Sequence, residues 1–458
     1  MVLPADFPGE LYKRGDIGAR SRIESQYGSV AVHVVYVSGI FHTRTRFRNG
    51  TLSTAGRRRG DVTTETATGE RPDGRRSWVV AIVGAIAMVF TFGTAFSYGV
   101  FQRPFGEAFG VSPVALSGVF AVMLFTFFIG SGVIGVFAAR VPARIVLLAC
   151  AVATGAIAPT LYAVESPVGL TVVFAVLGLA LGTVFVVLAS VVPRWFDRRR
   201  GAATGLIFVG NGLGLFVLPP IWQRTLTRVG VRQGFLVVMA VTAVAFLLAG
   251  LTCRRPTWAE RSTATAGDLL EWTRGLVGTR SFRLLFVGVG LAFAWYQLLT
   301  AYAIDLFAAR GLTAADAATA YGLIGGVSII SRLGSGYATD RVGSLRAFLA
   351  SLCCAAAGIA LLFLPQLSVL AVAIFLTGLG LGGCATLYVP LVMGIYDPEK
   401  DTAIVGVFNV AIGTSALVMP LLGTASIAYT GGYTAAIALT FVATLASLWA
   451  TIAGTTSA

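Results

Sequence analysis

The chain has 458 residues, of which 56% are apolar and only 12% charged, and its formal net charge is +14. A water-soluble globule of this size cannot conceal so much apolar surface, so the composition excludes a soluble enzyme or binding module and makes lipid the solvent. In that setting the basic excess belongs to loops at a membrane face, not to nucleic acid.

Residues 1–76 are different material from the rest. They hold both histidines, His33 and His42, and Lys13, whereas the remaining chain has no histidine and the single lysine Lys400. The longest apolar run there, near Val30 to Phe41, is too short to span and has arginines close behind it. Neither a membrane helix nor a cleavable signal peptide fits it. The segment reads as a polar, basic, disordered extension, and the natural chain is expected to start at or near Val62, where a valine codon can serve as an alternative start.

From Trp78 onward, apolar runs near 78–101, 115–138, 145–163, 168–190, 201–222 and 234–252 form a first set of six. Each is long enough to cross about 30 Å of hydrocarbon at about 1.5 Å per residue. A polar stretch, 253–281, follows. Further runs near 283–307, 317–338, 345–364, 367–390, 402–428 and 433–453 form a second set. The expectation is an all-α membrane protein of about twelve transmembrane helices in two six-helix pseudo-repeats, 77–252 and 282–458, joined by a central cytoplasmic loop. Glycine-rich stretches leave room for a break or a bend within a helix.

Orientation follows from counting cations in the short loops. With the residues before Trp78 placed inside, inner loops carry Arg140, Arg144, Arg194, Arg198 to Arg200, the arginines from Arg254 to Arg283, Arg341, Arg346 and Lys400. The outer side carries Arg103, Arg224, Arg228, Arg232 and Arg310. The bias puts both termini in the cytoplasm, with the three arginines from Arg224 to Arg232 as the dissenting loop. Cys150, Cys253, Cys353, Cys354 and Cys384 fall in or beside apolar runs, without metal-ligand spacing, and read as packing residues.

One short basic loop occurs twice. Gly336-Tyr-Ala-Thr-Asp340-Arg341-Val-Gly343-Ser-Leu-Arg346 follows Gly135-Val-Phe-Ala-Ala139-Arg140-Val-Pro142-Ala-Arg144 at a spacing of 201 residues, Gly336 matching Gly135 and Arg341 matching Arg140. Each copy closes one apolar run and opens the next, so the repeat unit is a set of membrane helices. The loop resembles the hallmark of the major facilitator superfamily, Gly-x-Leu-Ala-Asp-Arg-x-Gly-Arg-Arg, found between the second and third helices with a weaker copy between the eighth and ninth. The resemblance covers residues 77–458. It implies two related bundles, alternating access and a monomer, with the loop gating the inward-open transition through charge pairing and a helix dipole. Here the second copy is the better one, with Gly336, Asp340, Arg341 and Gly343 in place. The first keeps the motif residue Gly135, but Ala139 replaces the aspartate and Pro142 the glycine, which leaves Arg140 and Arg144 as topology markers.

A narrower likeness lies at Arg194-Trp-Phe196-Asp-Arg198-Arg-Arg200-Gly201-Ala-Ala-Thr-Gly205, continuing to Gly212. It resembles the stretch before the fifth helix of monocarboxylate transporters and their oxalate/formate antiporter relatives. Gly201, Gly205 and Gly212 suit close helix approach, and Pro219-Pro220 is placed to end or kink that helix.

Within the apolar runs ionisable residues are scarce, which singles out Arg332 in the eighth. Burying a guanidinium at mid-membrane costs at least about 2.5 kcal/mol, so a partner or a function is expected there. Helical spacing sets Gly325, Ser328, Arg332, Ser335 and Gly336 on one side and turns Ile329, Ile330 and Leu333 elsewhere, a pattern that suits a cavity wall. Arg332-Leu-Gly334-Ser-Gly336 resembles the eighth-helix context whose arginine pairs with the substrate carboxylate in monocarboxylate and oxalate transporters. The competing reading is a side chain that snorkels to the headgroups.

The eleventh run holds no second cation, so a monoanion fits better than a dianion. The proton-coupled carriers that this context resembles have a lysine late in the first helix and an aspartate one turn before the arginine, where this chain has Phe96-Ser97-Tyr98 and Ser328, which leaves proton symport by that route unsupported. Asp305, near the outer end of the seventh run, is a candidate coupling carboxylate or a helix-end residue facing water. Tyr98, Asn211, Tyr296, Gln297, Tyr388 and Asn409 are candidates to line the cavity with Arg332, each with interhelical hydrogen bonding or interfacial anchoring as its plainer role.

The sequence therefore points to a plasma-membrane secondary carrier of a small organic anion, with no cofactor, no metal and no nucleic-acid partner. A drug or metabolite efflux carrier of the same fold is the alternative, favoured by a mainly apolar cavity with Arg332 facing lipid, and a non-transporting sensor is a third. No histidine beyond residue 76, no Gly-x-Ser-x-Gly and no phosphate-binding loop in a suitable context supports an enzyme.

Overall fold

The computed structural model describes residues 71–134, 141–164, 166–256, 274–396 and 401–456. The N-terminal segment with Val62, the first-copy residues Gly135 and Arg140, most of the 253–281 stretch and Lys400 lie outside the described residues.

Apolar sequence at helical period gives α1 (Arg75–Phe96), α2 (Tyr98–Phe109), α3 (Pro113–Ile129), α4 (Ala143–Thr160), α5 (Pro167–Val191), α6 (Arg200–Val229) and α7 (Val231–Thr252). The second set is α8 (Arg280–Ala309), α9 (Ala314–Val342), α10 (Ser344–Leu361), α11 (Leu367–Ile395), α12 (Asp401–Thr430) and α13 (Thr434–Thr456). Among the described residues, twelve helices are long and apolar enough to cross a membrane, α2 being the short exception. Ile330 and Leu333 of α9 are 62% and 64% exposed, and Val168 of α5 is 72% exposed. Faces of that composition are stable only against lipid.

Side-chain caps fix several starts. Ser112, Ser166, Thr279 and Thr313 each accept a backbone N–H from the residue three positions on, satisfying a donor that the first turn leaves free.

Three local features differ from the sequence expectation. The first run breaks at Ser97, whose hydroxyl and N–H both turn back to the Gly93 carbonyl, and α2 begins at Tyr98. Pro219 and Pro220 do not stop α6, which runs on to Val229. Burial of Trp222 and Leu226, each 3% exposed, holds the last turns in place and overrides the lost hydrogen bonds. The repeated motif is mostly helix at its second copy, because α9 continues through Asp340 and Arg341 and the turn is made by Gly343 at φ 85°. A left-handed φ of that kind favours glycine.

The pseudo-repeat is visible in the packing. In the first set α1 packs on α6, α3 on α5 and α4 on both α5 and α7; the counterparts α8 on α12, α9 on α11 and α10 on both α11 and α13 recur in the second. The sets meet mainly along two equivalent seams, α3 against α12 and α6 against α9. Close approach there depends on missing side chains: a Cβ on Gly322 would lie 2.7 Å from the Phe216 carbonyl oxygen, and one on Gly132 would lie 3.0 Å from that of Gly406.

Candidate functional site

Between the two sets lies a cavity of about 50 Å³. Phe92 and Phe96 of α1, Phe128 next to the π-turn Gly130–Ile134, Phe185 of α5 and Phe208, Asn211 and Leu215 of α6 supply one wall. Phe293, Tyr296 and Gln297 of α8, Arg332 of α9, Leu381, Ala385 and Tyr388 of α11 and Ile412 of α12 supply the other.

Arg332 is therefore a wall residue and not a snorkelling one. It is 6% exposed, its neighbours on the same stripe, Ser328 and Ser335, are buried, and its Nε has no hydrogen-bond partner. Asn211, 1% exposed on the facing seam helix, has neither amide atom partnered. Leaving a buried polar group unpaired costs about 1–3 kcal/mol, and these are the unpartnered atoms that belong to the cavity wall.

The other polar wall residues are already occupied. The Tyr296 and Tyr321 hydroxyls share a hydrogen bond of 3.0 Å. Gln297 Nε2 donates to the Ile412 carbonyl at 3.2 Å, and its Oε1 accepts from Ser415 at 3.0 Å. Tyr388 donates to Asn409 Oδ1 at 3.2 Å, and Asn409 Nδ2 donates across the α3–α12 seam to Ser131 at 3.2 Å. Asn409 thus stands behind the wall and steadies Tyr388.

Tyr98 is placed away from the cavity. Its ring stacks on Phe120 at 4.6 Å and its hydroxyl donates to the Leu116 carbonyl at 2.6 Å, so the break at Ser97 turns it into the core of the first set. Asp305 is half-buried on α8 and does not line the cavity. Arg144, on the first turn of α4, and Arg341, at the end of α9, are exposed at helix termini. Gly336 lies within α9, and the side chain of Asp340 lies outside the described residues.

At the α1–α2 end the two sets are bridged. Tyr321 donates to the Phe96 carbonyl at 2.9 Å and hydrogen-bonds Thr300 at 2.8 Å, while the rings of Phe96 and Tyr296 lie 5.3 Å apart.

The Arg194–Arg200 stretch builds a clasp within the first set. Trp195 is fully buried and its indole donates to the Arg254 carbonyl at 2.7 Å, while Phe196 meets Trp78 edge to face at 5.0 Å. Asp73 accepts the backbone N–H groups of Asp197, Arg198 and Arg199, and these donors, Arg198 foremost, hold its carboxyl below the ordinary value. The clasp ties the start of α1 and the end of α7 to the turn between α5 and α6.

The phenylalanine wall was not singled out from the sequence. One signal was available, since Phe92 and Phe293 stand 201 residues apart, the spacing of the repeated motif, and both line the cavity.

The profile of the Major Facilitator Superfamily matches residues 80–368 and again 286–456. The chain is 29% identical over 289 residues to the MFS-type transporter pytF of Aspergillus terreus, covering 59% of this chain and 92% of that one. It is 27% identical over 288 residues to monocarboxylate transporter 11 of Mus musculus, covering 59% of this chain and 61% of the relative. With monocarboxylate transporter 9 of the same species the match is 27% identical and spans 40% of this chain, only 36% of that protein's length. Among solved structures, the nucleoside transporter NupG superposes with a TM-score of 0.64 at 12% identity, over 84% of this chain and 99% of the other. A bacterial homologue of the human lysosomal transporter Spinster gives a TM-score of 0.60 at 14% identity, over 84% and 95%.

Proposed function

The chain belongs to the Major Facilitator Superfamily, a multi-pass membrane transporter and not an enzyme, and from that premise we propose that it is a secondary carrier of a small organic monocarboxylate. The observation that carries the reading is the buried, unpartnered Nε of Arg332 at the cavity wall. A guanidinium in that position is stabilised by an anion that brings charge and acceptors together. Among the described residues the cavity wall holds no second cation, which suits one carboxylate and not two.

The two bundles, 77–252 and 282–458, rock about the cavity, and the anion lies between Arg332 of one and Asn211 of the other. The contacts of Tyr321 with Phe96 close one end in this conformer and separate in the opposite one. The motif residues Asp340 and Arg341 act at the other end, where charge pairing regulates closure. The carrier works as a monomer in the plasma membrane with both termini cytoplasmic.

The test is uptake of labelled short monocarboxylates by liposomes containing the purified protein, wild type against Arg332→Gln. Losing a charge-assisted contact is expected to lower flux by about a hundredfold, in line with roughly 2–3 kcal/mol. Equal flux in the two proteins removes the anchoring role.

A further inference from the structure

We infer that the cargo is a carboxylate with an apolar body, alkyl or aryl, carrying no second polar or charged group. This rests on the carrier reading above and follows from what the cavity wall has left to offer. Three of its five polar side chains, those of Tyr296, Gln297 and Tyr388, are held by other protein groups. The buried wall atoms still without a partner are Nε of Arg332 and the amide of Asn211. One carboxylate, with about four acceptor positions on two oxygens, can take donors from both.

Beyond these five side chains the described wall is hydrocarbon, from phenylalanine, leucine, isoleucine and alanine. Phe185 meets Phe92 at 5.3 Å and 66°, and Phe208 at 6.5 Å and 70°, so the rings turn edges and faces toward one another. A methyl or an aromatic edge joins that arrangement, whereas a hydroxyl placed there gives up its water without a replacement partner. Among the described residues no aspartate or glutamate lines the cavity, so an ammonium group on the cargo would find no counter-charge there. The volume of about 50 Å³ admits a short body in this conformer, and a wider one requires the phenylalanine side chains to swing outward.

Isobutyrate and lactate decide the matter, because they are nearly isosteric and differ by a methyl in place of a hydroxyl. Labelled forms of both are measured in parallel in liposomes with the wild-type protein, and unlabelled benzoate and glycine betaine serve as competitors. Isobutyrate is expected to half-saturate at a concentration at least about tenfold below lactate, with benzoate the stronger competitor, since an apolar pocket discriminates against an added hydroxyl by about one to two decades. In Phe208→Ser, checked for monodispersity, the preference is expected to narrow to about threefold. Lactate transported as well as isobutyrate, or better, overturns the inference, and so does glycine betaine as the best competitor, because the rings would then be holding a cation. If Arg332→Gln leaves both fluxes intact, or neither acid is transported, the carboxylate reading itself fails. A loss in Arg332→Gln combined with a preference for lactate sinks only the apolar body.

Discussion

The two seams between the bundles are equivalent by the repeat yet differ in how their polar groups are used. Along α3–α12, Ser117 pairs with Thr424 and Ser131 with Asn409, so the polar side chains named there are hydrogen-bonded to one another. Along α6–α9 the bundles approach through Gly322 and Gly325, while Asn211 and Nε of Arg332 stay unpartnered. The 201-residue offset matches Arg332 with Ser131 and Asn211 with Ile412. The lesson is that a duplicated scaffold separates two tasks. One seam satisfies its own polar groups, and the other leaves two of them unclaimed, which the carrier reading proposed above assigns to a ligand.

The strongest way to break this comparison is to move the cation between equivalent positions. The double variant Ser131→Arg/Arg332→Ser keeps composition constant, yet carboxylate flux is expected to stay about a hundredfold below wild type, as for Arg332→Gln alone. The transplanted arginine would lie in the seam beside Asn409, so its melting temperature is also expected to fall. Recovery of flux would show that the seams are interchangeable.

A smaller effect sharpens the contrast at the amides. Asn211→Leu removes an unpartnered group, so flux is expected to drop by about tenfold while thermal stability rises by up to about 1 kcal/mol. Asn409→Leu removes two hydrogen bonds and is expected to cost about 1–2 kcal/mol of stability with a milder, about threefold, loss of flux. Thermal unfolding in detergent alongside liposome flux reads both, and opposite signs of the two stability changes are the outcome to look for.

The smallest expected difference is steric. Gly322→Ala forces a Cβ to 2.7 Å from a carbonyl oxygen of α6, whereas Gly132→Ala meets one of α12 at 3.0 Å. The first is expected to melt roughly 2–4 °C below the second. The reverse order would mean that α3–α12 is the stiffer seam.

Much of the scaffold was legible without coordinates. Apolar run length located the membrane helices to within several residues, and the doubled motif gave the two halves, because lipid tolerates only helices with their backbone groups satisfied internally. Helix ends were less legible. The continuation of α6 past Pro219 and Pro220 depends on Trp222 and Leu226 finding neighbours, and the break at Ser97 depends on which way its hydroxyl turns. The same limit affected the candidate site. Arg332 stood out by rarity, by its small polar stripe and by its resemblance to a known context, and Asn211, Tyr296, Gln297 and Tyr388 do reach its cavity, but Tyr98 is committed to Leu116 and Asn409 stands behind Tyr388.

By itself, then, the sequence determined the class of solvent, the helices, the twofold repeat and the one cation worth questioning, since all of these follow from composition and period along the chain. Which polar groups remain unclaimed, and that phenylalanines surround them, only the tertiary structure decided. Hydrogen-bond partners such as Gln297 with Ser415 or Asn409 with Ser131 come from helices far apart in sequence, and whether a side chain is satisfied depends on the helix packed beside it.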